Sequence, residues 1–134
     1  MSEQAFNEVI ERFLRAIETC SEAVLHEVYR DDIVIWHSFT NATMAKDASI
    51  AMLAGLWRDG IRIRYMFDDQ LVVANRGVRR HRVEATTRGG RRIVMHVAMF
   101  ATVAEGQITR LDEYVESKEV EALGAAVAAS LEAG

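Results

Sequence analysis

Proline is absent from this 134-residue chain, and cysteine occurs once, at Cys20. Without proline there is no slow X–Pro isomerisation during folding, and turns fall to Gly, Asn and Asp. A single cysteine excludes an intramolecular disulfide, and neither a CxxC pair nor a Cys/His knuckle spacing is present. No apolar run approaches the roughly 18 residues of a membrane helix. The opening MSEQAFNEVIERF is polar and acidic at once, unlike a signal or transit peptide. The formal net charge of −4 argues against a general nucleic-acid binder. The expectation is a cytoplasmic protein with neither nucleic acid nor membrane as partner.

Half the residues are apolar and 27% charged, the balance of a globular protein with a real core. The length suits one domain, spanning 1–134. Phe6, Ile10, Phe13, Leu14 and Ile17 recur at helical spacing, opposite Glu8, Glu11, Arg12, Arg15 and Glu18. Ser21 reads as the N-cap of a second, shorter helix. IVIWHSF (33–39) reads as a strand, and TNATMAKDAS as a loop into a third helix over roughly 46–58. From Ile61 onward come four strand-like runs joined by short glycine-bearing connections, NRG, RGGR and AEG. EVEALGAAVAASL predicts a short C-terminal helix at the domain edge. The fold class is therefore α+β, with three helices packed on a strongly curved, antiparallel or mixed sheet. Such a layout makes a cone with an open mouth, able to hold a small apolar molecule.

Inward-facing polar residues are then the candidates for function. In ITRLDEYVES, Leu111, Glu113 and Val115 share one strand face. A carboxylate among apolar neighbours is either a structural ion-pair member or a general acid or base. In RRHRVEA, Arg82 and Glu84 share a face; turned inward, Arg82 would stand between Glu84 and Glu113, and turned outward it would join a solvated ladder. His37 ends the first strand, and His96 shares a face with Val94, Ala98 and Phe100. Both histidines are read as facing the pocket, whereas His26 and His81 read as surface residues. His37, His96 and Glu84 have no short ligand spacing, so no metal site is assigned. Phe13, Trp36, Trp57, Met95, Met99 and Phe100 supply the pocket wall in some combination. The arginines between Arg76 and Arg92 suit exposed hairpins, an anionic substrate or a subunit contact. Arg110, Asp112, Tyr114 and Glu116 face away from the cone, where a homodimer would form through the outer sheet face.

The order of elements, with YRDDIVIWHSF and FATVAEGQITRLDEYVES, resembles the nuclear transport factor 2-like superfamily and, within it, the SnoaL-like branch. The resemblance runs from about Phe6 to Leu123. It implies the cone fold but not a reaction, because this fold serves isomerases, cyclases, dehydratases, epoxide hydrolases and non-catalytic binders. Ketosteroid isomerases hold an oxyanion with a tyrosine and an aspartic acid, at positions that read Phe13 and Ala98 here. Their base position reads His37. The limonene epoxide hydrolase family is a nearer match, from Asp32 through the loop to AGL (54–56) and again from RVE through ITRLDEY. Its arginine and two acids fall on Arg82, Glu84 and Glu113, with the Glu113 position activating water and the Glu84 position protonating the epoxide. Its water-holding pair falls on Ile35 and His37. The resemblance implies cofactor-independent acid–base chemistry, with epoxide hydrolysis as its best-defined form. An isomerase, cyclase or dehydratase using His37 or His96, with His96, Phe13, Trp36, Trp57, Ala98 and Phe100 near substrate, is the alternative. A non-catalytic ligand-binding or dimerisation module is the third.

Overall fold

The computed structural model describes residues 2–133. Its elements run α1 (Glu3–Glu18), α2 (Glu22–Val28), β1 (Tyr29–His37), β2 (Ala42–Met44), α3 (Lys46–Arg58), β3 (Arg62–Val73), β4 (Arg76–Thr86), β5 (Arg92–Ala104), β6 (Gln107–Val115) and α4 (Ser117–Ala133). The six strands form one sheet in the order β2-β1-β6-β5-β4-β3. β3 to β6 make the antiparallel meander expected from sequence, and β1 adds to β6 in parallel, so the sheet is mixed.

Local chemistry sets the boundaries. Ser2 and Ser21 cap α1 and α2 by accepting from the amides of Ala5 and Val24. Glu105 and Gly106 both have positive φ, 52° and 76°, as a two-residue hairpin turn with the strand twist requires. Two expectations are corrected. The TNATM segment is not all loop: Ala42–Met44 pairs back on β1 as β2. The C-terminal helix is not short; its 17 residues exceed the 16 of α1, and it packs on β5.

The core lies between the helices and one face of the sheet. Phe6, Ile10, Phe13 and Leu14 of α1, Leu25 and Val28 of α2, and Ile50, Leu53 and Trp57 of α3 meet the inward residues of the strands. Those inward residues are Ile33 and Ile35 of β1, Val83 and Ala85 of β4, Val97, Met99 and Val103 of β5, and Ile108 and Leu111 of β6. At the other end the packing is looser: Ile63, Tyr65, Ile93 and Val115 point inward yet remain only partly buried. β5 extends there beyond the end of β6, whose Val115 pairs with Val97. Glu119 of α4 takes over from the missing strand, accepting from the His96 amide at 2.9 Å.

Gly77 lets α1 close on the sheet. A Cβ there would stand 2.7 Å from Cζ of Phe6, itself fully buried. Gly77→Ala is therefore expected to destabilise the fold by about 1–3 kcal/mol through overpacking. Urea denaturation checks this, and an unchanged midpoint would mean that α1 slides freely on β4.

Candidate functional site

Alternation along each strand decides which polar side chains turn towards the helices. On β6, fully buried Leu111 fixes the inward parity, so Glu113 and Val115 point inward as expected. β1 runs parallel beside it with His37 registered on Glu113. The Ser38 amide donates to the Glu113 carbonyl, and the Ser38 hydroxyl accepts from the Val115 amide, both at 2.9 Å. This brace holds the two side chains together: His37 Nε2 lies 3.6 Å from Glu113 Oε2. The His37 side chain is 9% exposed and that of Glu113 23%, so the acid keeps an open side deep in the fold.

Burial raises the Glu113 carboxyl from the usual 4.5 to about 7, and burial also lowers the His37 imidazole. Near neutrality the carboxyl is therefore about half ionised, beside an imidazole that burial keeps neutral. Two phenols lie in the field of this acid. Tyr29 is pushed up by burial, partly offset by its hydrogen bond with Ser49, and raised further by Glu113. Tyr65, on β3, is pushed up by burial and then by Glu113. Both stay protonated, as neutral donors. The backbone at Tyr65 is tied to α1, its amide donating to Glu18 Oε2 at 3.0 Å, and its ring meets His81 edge-on at 5.2 Å.

The other expected residues go elsewhere. Val83 and Ala85 are the buried members of β4, which turns Arg82 and Glu84 to the outer face. There Arg82 pairs with Asp68 at 3.1 Å and Glu84 with Arg92 at 3.5 Å. The arrangement of Arg82 between Glu84 and Glu113 is not formed. A shift of one residue in parity exchanges the two faces of a strand, and the inward polar residues of β4 are Arg79 and His81 instead. His81 is 2% exposed, not at the surface, and is pushed down to about 4 by burial and then by Arg79. On β5 the inward set is Met95, Val97, Met99 and Ala101, so His96, Ala98 and Phe100 face outward. His96 clasps α4, its Nδ1 lying 2.9 Å from Glu119 Oε2. Trp36 also faces outward, stacked edge-on with Tyr114 at 5.0 Å. Phe13 and Trp57 are core residues, Phe13 against Tyr29 at 5.6 Å. Ile35 is likewise buried in the core. His37 is thus separated from His96 and Glu84, and among the described residues no three His, Cys, Asp or Glu side chains gather as metal ligands. Tyr65, Tyr29 and His81 were not anticipated. Tyr65 alternates with Ile63, a signal that pointed inward.

A model of the family described as SnoaL-like domain matches residues 10–111. Among solved structures, an LEH-like epoxide hydrolase from M. tuberculosis superposes with a TM-score of 0.76 at 13% identity, over 87% of this chain and 86% of that one. A candidate SnoaL-like polyketide cyclase from Shewanella denitrificans also reaches 0.76, at 10% identity over 87% and 93% of the two chains. A candidate isomerase from Rhodopseudomonas palustris gives 0.73 at 22% identity, over 92% and 99%. No curated protein sequence matches the chain. At these identities the likeness is one of fold, and it bears out the α+β architecture expected from the sequence.

The electrostatics predict a stability effect of definite sign. Between about pH 4.5 and 7 the folded chain keeps a proton on Glu113 that the unfolded chain releases, so this group lowers stability as pH rises through that window. Glu113→Gln should therefore be more stable than wild type by about 2–3 kcal/mol at pH 8.5, and nearly equal to it at pH 4. The comparison cancels the histidine contributions. Urea titration at both pH values measures it, and a variant destabilised at pH 8.5 would make Glu113 a structural anion.

Proposed function

The chain belongs to the SnoaL-like domain family, and from that premise we propose that it moves protons on a small, largely apolar carbonyl compound, with Glu113 as base and His37 as its partner. The observation that supports this most is the inward, partly exposed carboxyl, raised by burial to about 7 and 3.6 Å from an imidazole that burial keeps neutral. A general base works best with a pKa near the operating pH, and burial has moved this glutamate there.

In the step proposed, ionised Glu113 takes a proton from the carbon beside the carbonyl. The C–H electron pair becomes the enolate, and its oxygen accepts a hydrogen bond from the Tyr65 phenol. Glu113 then returns the proton to another carbon, giving isomerisation, or the enolate carbon attacks a second carbonyl and Glu113 returns the proton to the alkoxide so formed, giving ring closure. His37, kept neutral by burial, stands beside Glu113 as a polar partner that brings no positive charge to weaken it as a base. The pocket partner is a small apolar molecule and the step needs no further reactant. Water addition to an epoxide has less support, because it needs a second acid facing Glu113. Arg82 and Glu84, the groups expected there, face the other way.

Incubating the chain in deuterated buffer with cyclic β-diketones and β,γ-unsaturated ketones should give deuterium incorporation above background, followed by mass spectrometry. Glu113→Gln should lose about 10²–10⁴-fold of that rate. The wild-type rate should fall below an apparent pKa near 7, since the base must be ionised. Exchange that survives in Glu113→Gln, or Glu113-dependent diol formation from epoxides instead, would overturn carbon deprotonation.

The outer sheet face supports a proposal about assembly. Trp36, Tyr114 and Phe100 stack in a row there, with exposed Leu71 and Val73 near Phe100. The Arg110–Asp112 ion pair, 2.9 Å apart, lies on the same face. A two-fold axis through such a surface sets each charge opposite its complement, so we infer a second copy of this chain as the partner. Phe100→Glu with Tyr114→Glu should convert a dimer into a monomer by light scattering. A wild type that is already monomeric would refute this.

A further inference from the structure

Four buried side-chain polar atoms have no hydrogen-bond partner among the described residues, and three belong to one flank: Arg79 Nε, Gln70 Oε1 and His81 Nδ1. Gln70 and Arg79 are cross-strand partners, and His81 follows two residues later on the same face of β4. Each orphaned atom costs on the order of 1–3 kcal/mol, and native interiors hold few of them. Three on neighbouring residues do not suit a closed core.

The chain is open beside them. A cleft of about 420 Å³ runs between α1 and the β3–β4 hairpin, with Arg79 in its lining. That is within the range of small-ligand pockets. Arg79 is only 6% exposed, and its best polar contact is a long one, Nη1 to Glu11 Oε1 at 3.4 Å. Gln70 donates from Nε2 to Asn7 Oδ1 at 2.6 Å, which leaves its carbonyl oxygen free. Glu3 and Asp69 add carboxylates beside Glu11, and Phe67 adds an aromatic ring that is 56% exposed, with the Arg79 guanidinium 4.7 Å from its centre. None of Glu113, His37 and Tyr65 lines the cleft.

This donor set selects a ligand class. An anion would meet Arg79 but also three carboxylates, and a cation would meet the carboxylates but lie against a buried guanidinium. A zwitterion would satisfy the charges and leave the exposed part of the Phe67 ring uncovered. Hydroxyls both accept and donate, so one can take an Nη–H of Arg79 while another gives to Glu11 or Glu3 at the cleft wall, which would draw the buried Arg79 Nε and Gln70 Oε1 into the same network. We propose that the cleft binds a neutral polyhydroxylated ring of the sugar type, held by Arg79, Gln70 and Glu11 and stacked by its C–H face on Phe67.

The probe is a panel of methyl glycosides of glucose, galactose, mannose and rhamnose, titrated into the full chain and followed by ¹H–¹⁵N NMR that includes arginine Nε–H. At least one glycoside should bind in the millimolar range and shift the Arg79 Nε–H, the Gln70 side-chain amide and the Asn7 and Glu11 backbone amides together. Phe67→Ala should weaken binding at least tenfold and Glu11→Gln severalfold; both side chains are largely exposed, so the fold is expected to persist. No saturable shift with any glycoside, the same shifts with glycine or acetate instead, or full affinity in Phe67→Ala would each overturn the proposal.

Discussion

The helices must cover one face of the sheet, and that burial decides which side chains can meet. Met95, Val97, Met99 and Val103 of β5 are buried against them. At roughly 1.5–3 kcal/mol for each such side chain, exposing all four would cost on the order of 10 kcal/mol, only partly offset by burying Val94, Ala98 and Phe100 along with His96. A domain has only about 5–15 kcal/mol of stability to lose. Parity is thus locked on β5 and, through its antiparallel partners, on β4 and β6. Polar residues have no vote in this; they point wherever the apolar ones leave them. Glu113 and Arg79 are carried inward in that way, and Arg82, Glu84 and His96 outward.

An inward carboxyl without a cation beside it is a cost to the fold. Burial is the cause resolved for the displacement of Glu113, and the nearest polar partner, His37, is itself held neutral by burial. The protein tolerates this because the acid keeps an open side and can hold a proton. The raised carboxyl and its cost to the fold come from the same desolvation. The brace of Ser38 on the Glu113 and Val115 backbones keeps the pair in register where β1 and β6 end.

How much of this the sequence disclosed depended on whether one face of a strand was unambiguous. On β6, Leu111 and Val115 alternate with Arg110, Asp112 and Tyr114, and the inward turn of Glu113 was legible. On β4, Val83 and Ala85 carried the same signal against Arg82 and Glu84, but two modest apolar side chains between arginines and a histidine define a face only weakly. On β5 both faces are apolar, because the outer one carries Ala98 and Phe100, so no pattern distinguished His96 from Val97. His81 sits among arginines and looks solvated, yet pairs with Phe67 across the inner face. β2 hides in a polar segment that gains strand form only by pairing with β1. The extent of α4 was underread because alanine gives little amphipathic contrast, although it is the strongest helix former.

Across the inner face one register row reads His37, Glu113, Met99, Arg79 and Gln70. Met99 is the residue that separates the two charges of that row. With strands about 4.8 Å apart, it keeps Arg79 roughly two spacings, or about 10 Å along the sheet, from Glu113. At contact distance a guanidinium would pull the carboxyl down by about 1–3 pH units and return it to an ordinary anion. Instead Arg79 leans towards Glu11 on α1, and Glu113 remains near neutrality in its titration. One buried thioether thus keeps an acid–base pair at one end of the row and a charged, polar cleft at the other, each with the protonation its own surroundings dictate.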